Sequence, residues 1–236
     1  MALIAIFGST QAAVIDSFQD DIPAAAQTNI VTALFTGFLS PVPGSGMEAL
    51  NTTLTDRFAS YYPALTYSGR AFQWRQQQDA LDYINSFDEI DSLFLVGHSF
   101  GGSSVIQLAE NFLAPNNIIV DLTFQIDSVD NFLGAPPDNV LPTNVAAGYN
   151  YYQVSNWLFE PQGETFVLDA TNINVETLFS DSTITHFSID NDPRLHDKIF
   201  SNMLQTAVPE PSSLVFIATA FLSLQYVSRQ RHRHSS

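Results

Sequence analysis

The sequence predicts an α/β fold with a mostly parallel central sheet and helices on both of its faces. Apolar segments of strand length alternate with segments whose apolar residues recur at three- and four-residue spacing, and this alternation is typical of such folds. The clearest case is 92–113, where an apolar run passes through a glycine-rich turn into an apolar-periodic helix. This segment therefore predicts a buried strand followed by a helix that covers the sheet.

The other elements follow in chain order from the same patterns. Strands are predicted at 2–7, 64–67, 93–96, 118–126, 149–157 and 165–169, and helices at 23–39, 47–61, 72–84 and 105–113. A last helix begins at Asp192, which is a suitable N-cap and is followed by Pro193 in the first turn. The segment 131–148 is a long loop with several apolar residues, and two interpretations stay open: a mobile cover over a site, or an ordinary surface insertion.

Composition limits the classes of function. The chain has 236 residues, 45% of them hydrophobic, which suffices for one folded domain with a sizeable core. Its net charge of −16 would repel the phosphate backbone, so nucleic-acid binding is excluded. The chain has no cysteine, which rules out disulfides, thiolate nucleophiles and cysteine metal sites.

The turn after the apolar run carries the main functional signal. It reads Gly97-His98-Ser99-Phe100-Gly101, a Gly-x-Ser-x-Gly pattern between a strand and a helix. In this context the pattern is typical of a nucleophile elbow, where a tight turn exposes a serine at the carboxyl edge of the sheet. Glycines flank the serine because side chains there would crowd the junction. The sequence thus predicts Ser99 as a nucleophile; a glycine-rich turn with an idle serine is the alternative.

A serine nucleophile needs an imidazole base. Of the five histidines, His186 is the predicted base, because it comes late in the chain just before the final helix, as the order serine, acid, histidine requires. His98 leaves the turn in another direction, and His196 falls inside the last helix. The remaining two, His232 and His234, lie in the C-terminal tail.

The acid that orients the base is less narrowly determined. Asp127 ends the predicted strand 118–126, so its carboxylate would lie at the same sheet edge as the serine and accept the Nδ1 proton of the base. Asp130, three residues on, is the first alternative. If the acid followed a later strand, the candidates would be Asp169, Glu160 and Glu164.

Acyl transfer also needs two backbone N–H groups that face the developing oxyanion. Phe100 supplies one by its position directly after the nucleophile. The second donor should come from the loop after an earlier strand. The predicted strand 2–7 ends in Gly8-Ser9-Thr10, so Ser9 is predicted to donate, with Thr10 as the alternative.

Together these residues resemble the α/β-hydrolase superfamily over about residues 2–205, and the elbow through Gly102 resembles the GHSxGG form of lipases and esterases. The resemblance implies hydrolysis of an ester or lipid-like acyl substrate through an acyl-enzyme, with no metal or organic cofactor. In that family an Asp-Pro pair usually follows the strand, whereas this chain has Asp127-Ser128. An amidase, thioesterase or acyltransferase stays open, as does a non-catalytic binding module with a hydrolase-like fold.

The C-terminal segment differs from the rest of the chain. A Val-Pro-Glu-Pro motif at 208–211 precedes an uncharged apolar stretch over about 212–227, which is followed by three arginines. These three parts resemble the PEP-CTERM sorting signal of Gram-negative bacteria, which implies export, a transient inner-membrane anchor and processing by an exosortase. The predicted division is a catalytic domain at 1–206 and a sorting segment, with a hydrophobic helix, at 207–236.

The first residues do not match a signal peptide. An exported chain needs a basic region and an apolar run at its N-terminus, but Met1 is followed by a short apolar run without Lys or Arg. Either the true start lies upstream of Met1 or this copy is not exported, and we expect the former. The predicted location after processing is the cell surface or the extracellular space.

Overall fold

The computed structural model describes residues 28–38, 40, 42–129, 139–155 and 162–208. Within these ranges six strands form one sheet in the order β2-β1-β3-β4-β5-β6, and every neighbouring pair is parallel. The strands are β1 Thr28–Phe35, β2 Leu65–Phe72, β3 Ser92–His98, β4 Val120–Ile126, β5 Val145–Tyr152 and β6 Thr171–Asn174. The predicted parallel sheet is therefore confirmed for the described part of the chain.

Helices cover both faces of this sheet. They are α1 Gly46–Tyr61, α2 Gln77–Ile84, α3 Phe100–Leu108, α4 Val175–Phe179 and α5 Pro193–Ala207. After α3 the chain continues through a π-helical turn at Ala109–Leu113 and a 3₁₀ turn at Ala114–Asn116, and a further 3₁₀ turn at Ile189–Asn191 precedes α5. The last helix begins as predicted, since the Asp192 carboxylate accepts from the Arg194 N–H at 2.8 Å.

The two faces of β1 show how the core is divided. Ile30 and Leu34 pack in one apolar cluster with side chains of α1 and α5, whereas Val31 and Phe35 pack in a second cluster with side chains of α2 and α3. Successive residues of a strand point to opposite faces, so one strand contributes to both clusters. Burial on both faces is what a central strand of a parallel sheet requires.

The predicted helix at 23–39 is wrong for its described residues, because Thr28–Phe35 forms β1. Within this strand Ile30–Val31 and Ala33–Phe35 are apolar, and such a short run cannot be told from a helix by periodicity alone. Its β-branched residues, among them Ile30, Val31 and Thr32, favour the strand that is found.

Other boundaries also differ from prediction; among them, the predicted strand 149–157 lies at Val145–Tyr152 and the predicted strand 64–67 extends to Phe72. The predicted helix 72–84 forms only over Gln77–Ile84, because Phe72 is the last residue of β2. The predicted strand 165–169 contributes one isolated bridge, Leu168 to Val140, and the strand lies at Thr171–Asn174 instead. The predicted loop 131–148 ends earlier, since β5 begins at Val145.

Several predictions lie outside the described residues: the strand at 2–7 with Ser9, the first part of the loop 131–148, and the sorting segment from 209 onward. Within the described ranges no helix combines the length and the apolar character needed to cross a membrane.

Candidate functional site

The turn between β3 and α3 holds Ser99 in a strained backbone conformation, with φ 56° and ψ −126°. A non-glycine residue at such φ is uncommon and persists only where the surroundings enforce it. Here the Ser99 N–H donates to the Ile126 carbonyl at 3.0 Å, and the Ser99 carbonyl accepts from the N–H groups of Gly102 and Val129 at 2.9 and 3.1 Å. Hydrogen bonds to β4, α3 and the segment after β4 thus fix the turn.

The two flanking glycines are required sterically. A Cβ on Gly97 would overlap the Gly101 carbonyl, and a Cβ on Gly101 would overlap the Phe35 carbonyl at the end of β1. The predicted reason for the glycines therefore agrees with the close approach of strand and helix at this point.

His186 lies beside this serine, in the segment between α4 and the 3₁₀ turn at Ile189–Asn191. Its Nε2 is 2.9 Å from the Ser99 Oγ, and its Nδ1 is 2.7 Å from the Asp127 Oδ2. All three residues are buried, with exposed fractions of 6% or less. The structure therefore brings together the serine, histidine and aspartate that the sequence singled out, in one hydrogen-bonded chain.

The Asp127 carboxylate is held from several sides. Asp127 directly follows β4 with φ 44°, and its N–H donates to the Tyr151 carbonyl at 2.6 Å. The Gln153 side chain donates to Oδ2 at 3.1 Å, and the Gln153 backbone N–H lies 3.4 Å from Oδ1. Gly163 packs so closely against Asp127 that a Cβ would overlap the carboxylate. These contacts, which the sequence did not suggest, orient the carboxylate toward the histidine.

Of the alternative acids, Asp169 and Glu164 lie within the described residues. Asp130 and Glu160 lie outside the described residues, and Asp169 is exposed in the turn before β6. Glu164 approaches the site through its backbone, since its N–H donates to the Ser128 carbonyl at 2.7 Å.

The loop after β1 contains a residue that the sequence analysis missed. A Cβ on Gly37 would lie 2.9 Å from the Ser99 Cβ and 3.4 Å from its Oγ, so the Gly37 backbone passes close to the Ser99 side chain. Phe100, the predicted donor, is the first residue of α3. The sequence does contain a signal for this residue, because Gly37 comes shortly after the apolar run that ends at Phe35. The signal becomes visible only when that run is assigned to a strand and not to a helix.

Aromatic side chains pack around Phe100, the residue directly after the serine. Trp74 stacks on Phe100 with 5.2 Å between ring centroids, and Phe38 packs edge-on against both. Phe38 is 55% exposed, and Phe187, next to the histidine, is 66% exposed. The Arg75 guanidinium lies over the Trp74 ring, 4.2 Å from its centroid. The surface beside Ser99 is therefore mainly apolar, with one cation at its margin.

Two more histidines are buried near the site. The Nε2 of His98 is 2.9 Å from the His186 carbonyl oxygen, and the Nε2 of His196 is 2.8 Å from the Asp190 carbonyl oxygen. Burial lowers the pKa of His98, although the nearby Asp190 carboxylate acts in the opposite direction. Among the described residues no group of three or more His, Asp and Glu side chains is placed to hold a metal ion.

Comparisons with known proteins leave the family open. No family model and no curated protein matches the chain. One matching solved structure is a protein of Xanthomonas campestris pv. campestris, whose description as a hydrolase of the alpha/beta superfamily is itself an inference; it has a TM-score of 0.46 and 13% identity, covering 74% of this chain and 98% of that one. Within the described residues, the structure itself shows a six-stranded parallel sheet with helices.

The segment that carries Gln153 is anchored by Glu176 of α4. The Glu176 carboxylate accepts from the N–H groups of Val154 and Ser155 at 3.0 and 2.8 Å, and from the Asn174 amide at 3.1 Å. Partial burial raises the pKa of Glu176, but these hydrogen bonds outweigh it and hold the pKa below the ordinary value of 4.5.

A Glu176→Gln change is expected to lower stability at neutral pH, because the amide replaces one of the accepting oxygens with a donor. A depressed carboxylate pKa contributes stability that is complete above the ordinary value and is lost as pH falls through the folded-state value. The gap in unfolding free energy between wild type and variant, measured by urea titration, should therefore be present at pH 7 and close as the pH falls below 4.5. A gap independent of pH would contradict the anchoring role; the exposed Glu110→Gln serves as the control.

Proposed function

We propose that this chain is a serine hydrolase that cleaves carboxylic esters through an acyl-enzyme. The observation that carries the proposal is the buried chain of hydrogen bonds from the Ser99 Oγ through His186 to Asp127, at 2.9 and 2.7 Å. A hydroxyl is a weak nucleophile on its own and becomes effective when an oriented imidazole accepts its proton.

The proposed reaction proceeds in two halves. The Ser99 Oγ attacks the ester carbonyl while its proton passes to the Nε2 of His186, and Asp127 stabilises the resulting imidazolium through Nδ1–H. The imidazolium then donates the proton to the alkoxy oxygen of the tetrahedral intermediate as its C–O bond breaks, so the alcohol leaves and an acyl-enzyme remains. Water, deprotonated by the same imidazole, releases the acid and restores Ser99. General acid–base transfer of this kind contributes about 10²- to 10⁴-fold.

The oxyanion of each tetrahedral intermediate would be bound by backbone N–H groups. Phe100 is one proposed donor because of its place after the nucleophile. The backbone of Gly37 and Phe38 is the proposed source of the second, supported by the contact between Gly37 and Ser99. The predicted donor Ser9 lies outside the described residues and stays a prediction.

The aromatic surface of Phe38, Trp74 and Phe100 supports an ester with an apolar acyl or alkoxy part. Such a group would remove apolar ring surface from water, which favours binding by roughly 25 cal/mol per Å². Phe38 is the side chain with most to gain, since 55% of it is exposed beside the serine.

Replacing Ser99 by Ala is expected to abolish labelling of the full-length, detergent-purified protein by a fluorophosphonate probe. The same change should lower kcat for p-nitrophenyl esters by roughly 10⁴-fold or more. Ser60→Ala, an exposed serine near the end of α1, is the matched control and should label like wild type. A folded wild type that neither labels nor hydrolyses esters would favour the binding-module alternative.

The same assay separates the two candidate acids. Asp127→Asn should lose about 10⁴-fold in kcat, because the imidazole would be held in the wrong tautomer. Asp130→Asn should remain active. The reverse pattern would move the acid to Asp130.

Replacing Phe38 by Ala is expected to reduce kcat/KM for esters of long acyl chains by roughly tenfold while acetate esters change little, because only the longer chains reach the ring. Tyr61→Ala is the control, since Tyr61 is equally aromatic and 72% exposed but lies at the far end of α1. An equal loss for all chain lengths would count against an apolar subsite.

We further infer that 208–233 is a sorting signal and that the chain is exported, held in the inner membrane through residues 212–227, and processed by an exosortase. The support is the sequence alone: the Pro-Glu-Pro motif, the apolar stretch and the arginines. With an added signal peptide and a C-terminal tag, the chain should lose the tag in a host that has an exosortase. Replacing 209–211 by alanines should preserve the tag; tag loss in both would contradict the inference.

A further inference from the structure

His98 stands at the end of β3, directly before the serine, and the proposed reaction gives it no chemical step. Its side chain is nevertheless buried, with 5% of the residue exposed. Its Nε2 lies 2.9 Å from the backbone carbonyl oxygen of His186, a contact between residues 88 positions apart in the chain. The two imidazole rings lie 4.8 Å apart between centroids.

The chemistry of this contact fixes the direction of the hydrogen bond. A carbonyl oxygen can only accept, so the Nε2 of His98 must carry the proton. The Nδ1 of His98 lies 3.3 Å from the Asp190 Oδ2, within ion-pair distance. It does not, however, meet the geometry of a hydrogen bond, since Nδ1 has no such partner in the described part of the chain.

The His186 segment has little else that ties it to the sheet through its backbone. Its described backbone bonds are local: Ser188 and Ile189 donate to the Thr185 carbonyl at 3.1 and 3.0 Å, and the Thr185 N–H donates to the Ser188 Oγ at 2.9 Å. These bonds shape the turn but do not place it. The bond from His98 connects the carbonyl of His186 to the strand that carries Ser99.

We propose that His98 is a positioning residue: its Nε2–H holds the His186 carbonyl and thereby places the imidazole of His186 between Ser99 and Asp127. This inference rests on the proposed function. Because His98 is the last residue of β3 and Ser99 follows it directly, this bond ties the position of the base to the backbone that carries the nucleophile. Gly37 belongs to the same arrangement, since a Cβ there would lie 3.5 Å from the His98 Nδ1.

A pair of amide substitutions tests this role. The amide nitrogen of glutamine can occupy about the place of a histidine Nε2, whereas that of asparagine is nearer to Nδ1. His98→Gln therefore keeps a donor toward the His186 carbonyl, and His98→Asn keeps one only toward Asp190. Each variant is compared with wild type in kcat and KM for a p-nitrophenyl ester and in Tm.

With His98→Asn, kcat should fall by about 10- to 100-fold while KM stays close to wild type, since a small misplacement of a catalytic group affects the transition state more than ground-state binding. His98→Gln should recover most of the lost kcat. The far-downfield proton signal of the His186 Nδ1–H, observed by NMR, should persist in the Gln variant and broaden or disappear in the Asn variant.

Three results would overturn the proposal: equal kcat in the two variants, an unchanged kcat in His98→Asn, or a loss that follows Tm rather than the position of the donor. These outcomes are distinguishable from failure of the proposed function. If that function were wrong, wild type itself would show no esterase activity and no labelling at Ser99, whereas failure of the His98 proposal alone would leave wild type active and labelled.

Discussion

The strained turn at Ser99 is the constraint on which the rest of the site depends. With φ at 56°, the serine cannot relax into ordinary strand or helix geometry, and the chain changes direction within one residue. This conformation persists because residues of β1, β4 and α3 contact the turn. Gly101 of α3 packs against the Phe35 carbonyl of β1, and the Ser99 N–H donates to the Ile126 carbonyl of β4. The sheet therefore does more than support the elbow, since the neighbours of β3 enforce its geometry.

A second residue with a strained backbone, Asp127, lies at the end of the neighbouring strand β4. Asp127 has φ 44° and, like Ser99, sits just beyond the carboxyl end of its strand. Aspartate tolerates left-handed backbone better than most residues, and the bend turns its carboxylate across the sheet edge instead of along β4. Two adjacent parallel strands thus end in two sharp turns, and the imidazole between them needs to bridge only a short gap.

Motifs and chain order predicted parts of this site from the sequence, whereas apolar periodicity failed for β1. Residues 93–96 were predictable as a strand because the glycine-rich turn and the helix after it leave no other interpretation, and His186 stood out by its place late in the chain. The periodicity of the sequence did not predict strand β1, because residues buried on both faces show none, although the β-branched residues of this segment favour a strand. That error also hid Gly37, whose role follows only from knowing that a strand precedes it.

The contact made by His98 shows a different limit of prediction from the sequence. The sequence indicated correctly that its side chain leaves the turn in another direction from the serine. The side chain of His98 contacts the backbone carbonyl of His186, 88 residues later in the chain. Which group it contacts depends on the path of the chain between β4 and α5. Buried polar groups of this kind can be identified as needing a partner, but the identity of the partner is a property of the fold.

The long separations within the site have a consequence for how the protein folds. Ser99 and His186 are 87 residues apart, and Asp127 and His186 are 59 apart. Contacts of such separation require large loops to close, so they form slowly and only after much of the intervening chain is ordered. The parallel strands β4, β5 and β6 must all be in register before the histidine reaches the serine. During refolding, formation of the contact between Ser99 and His186 would therefore mark completion of the sheet and not an early stage of collapse.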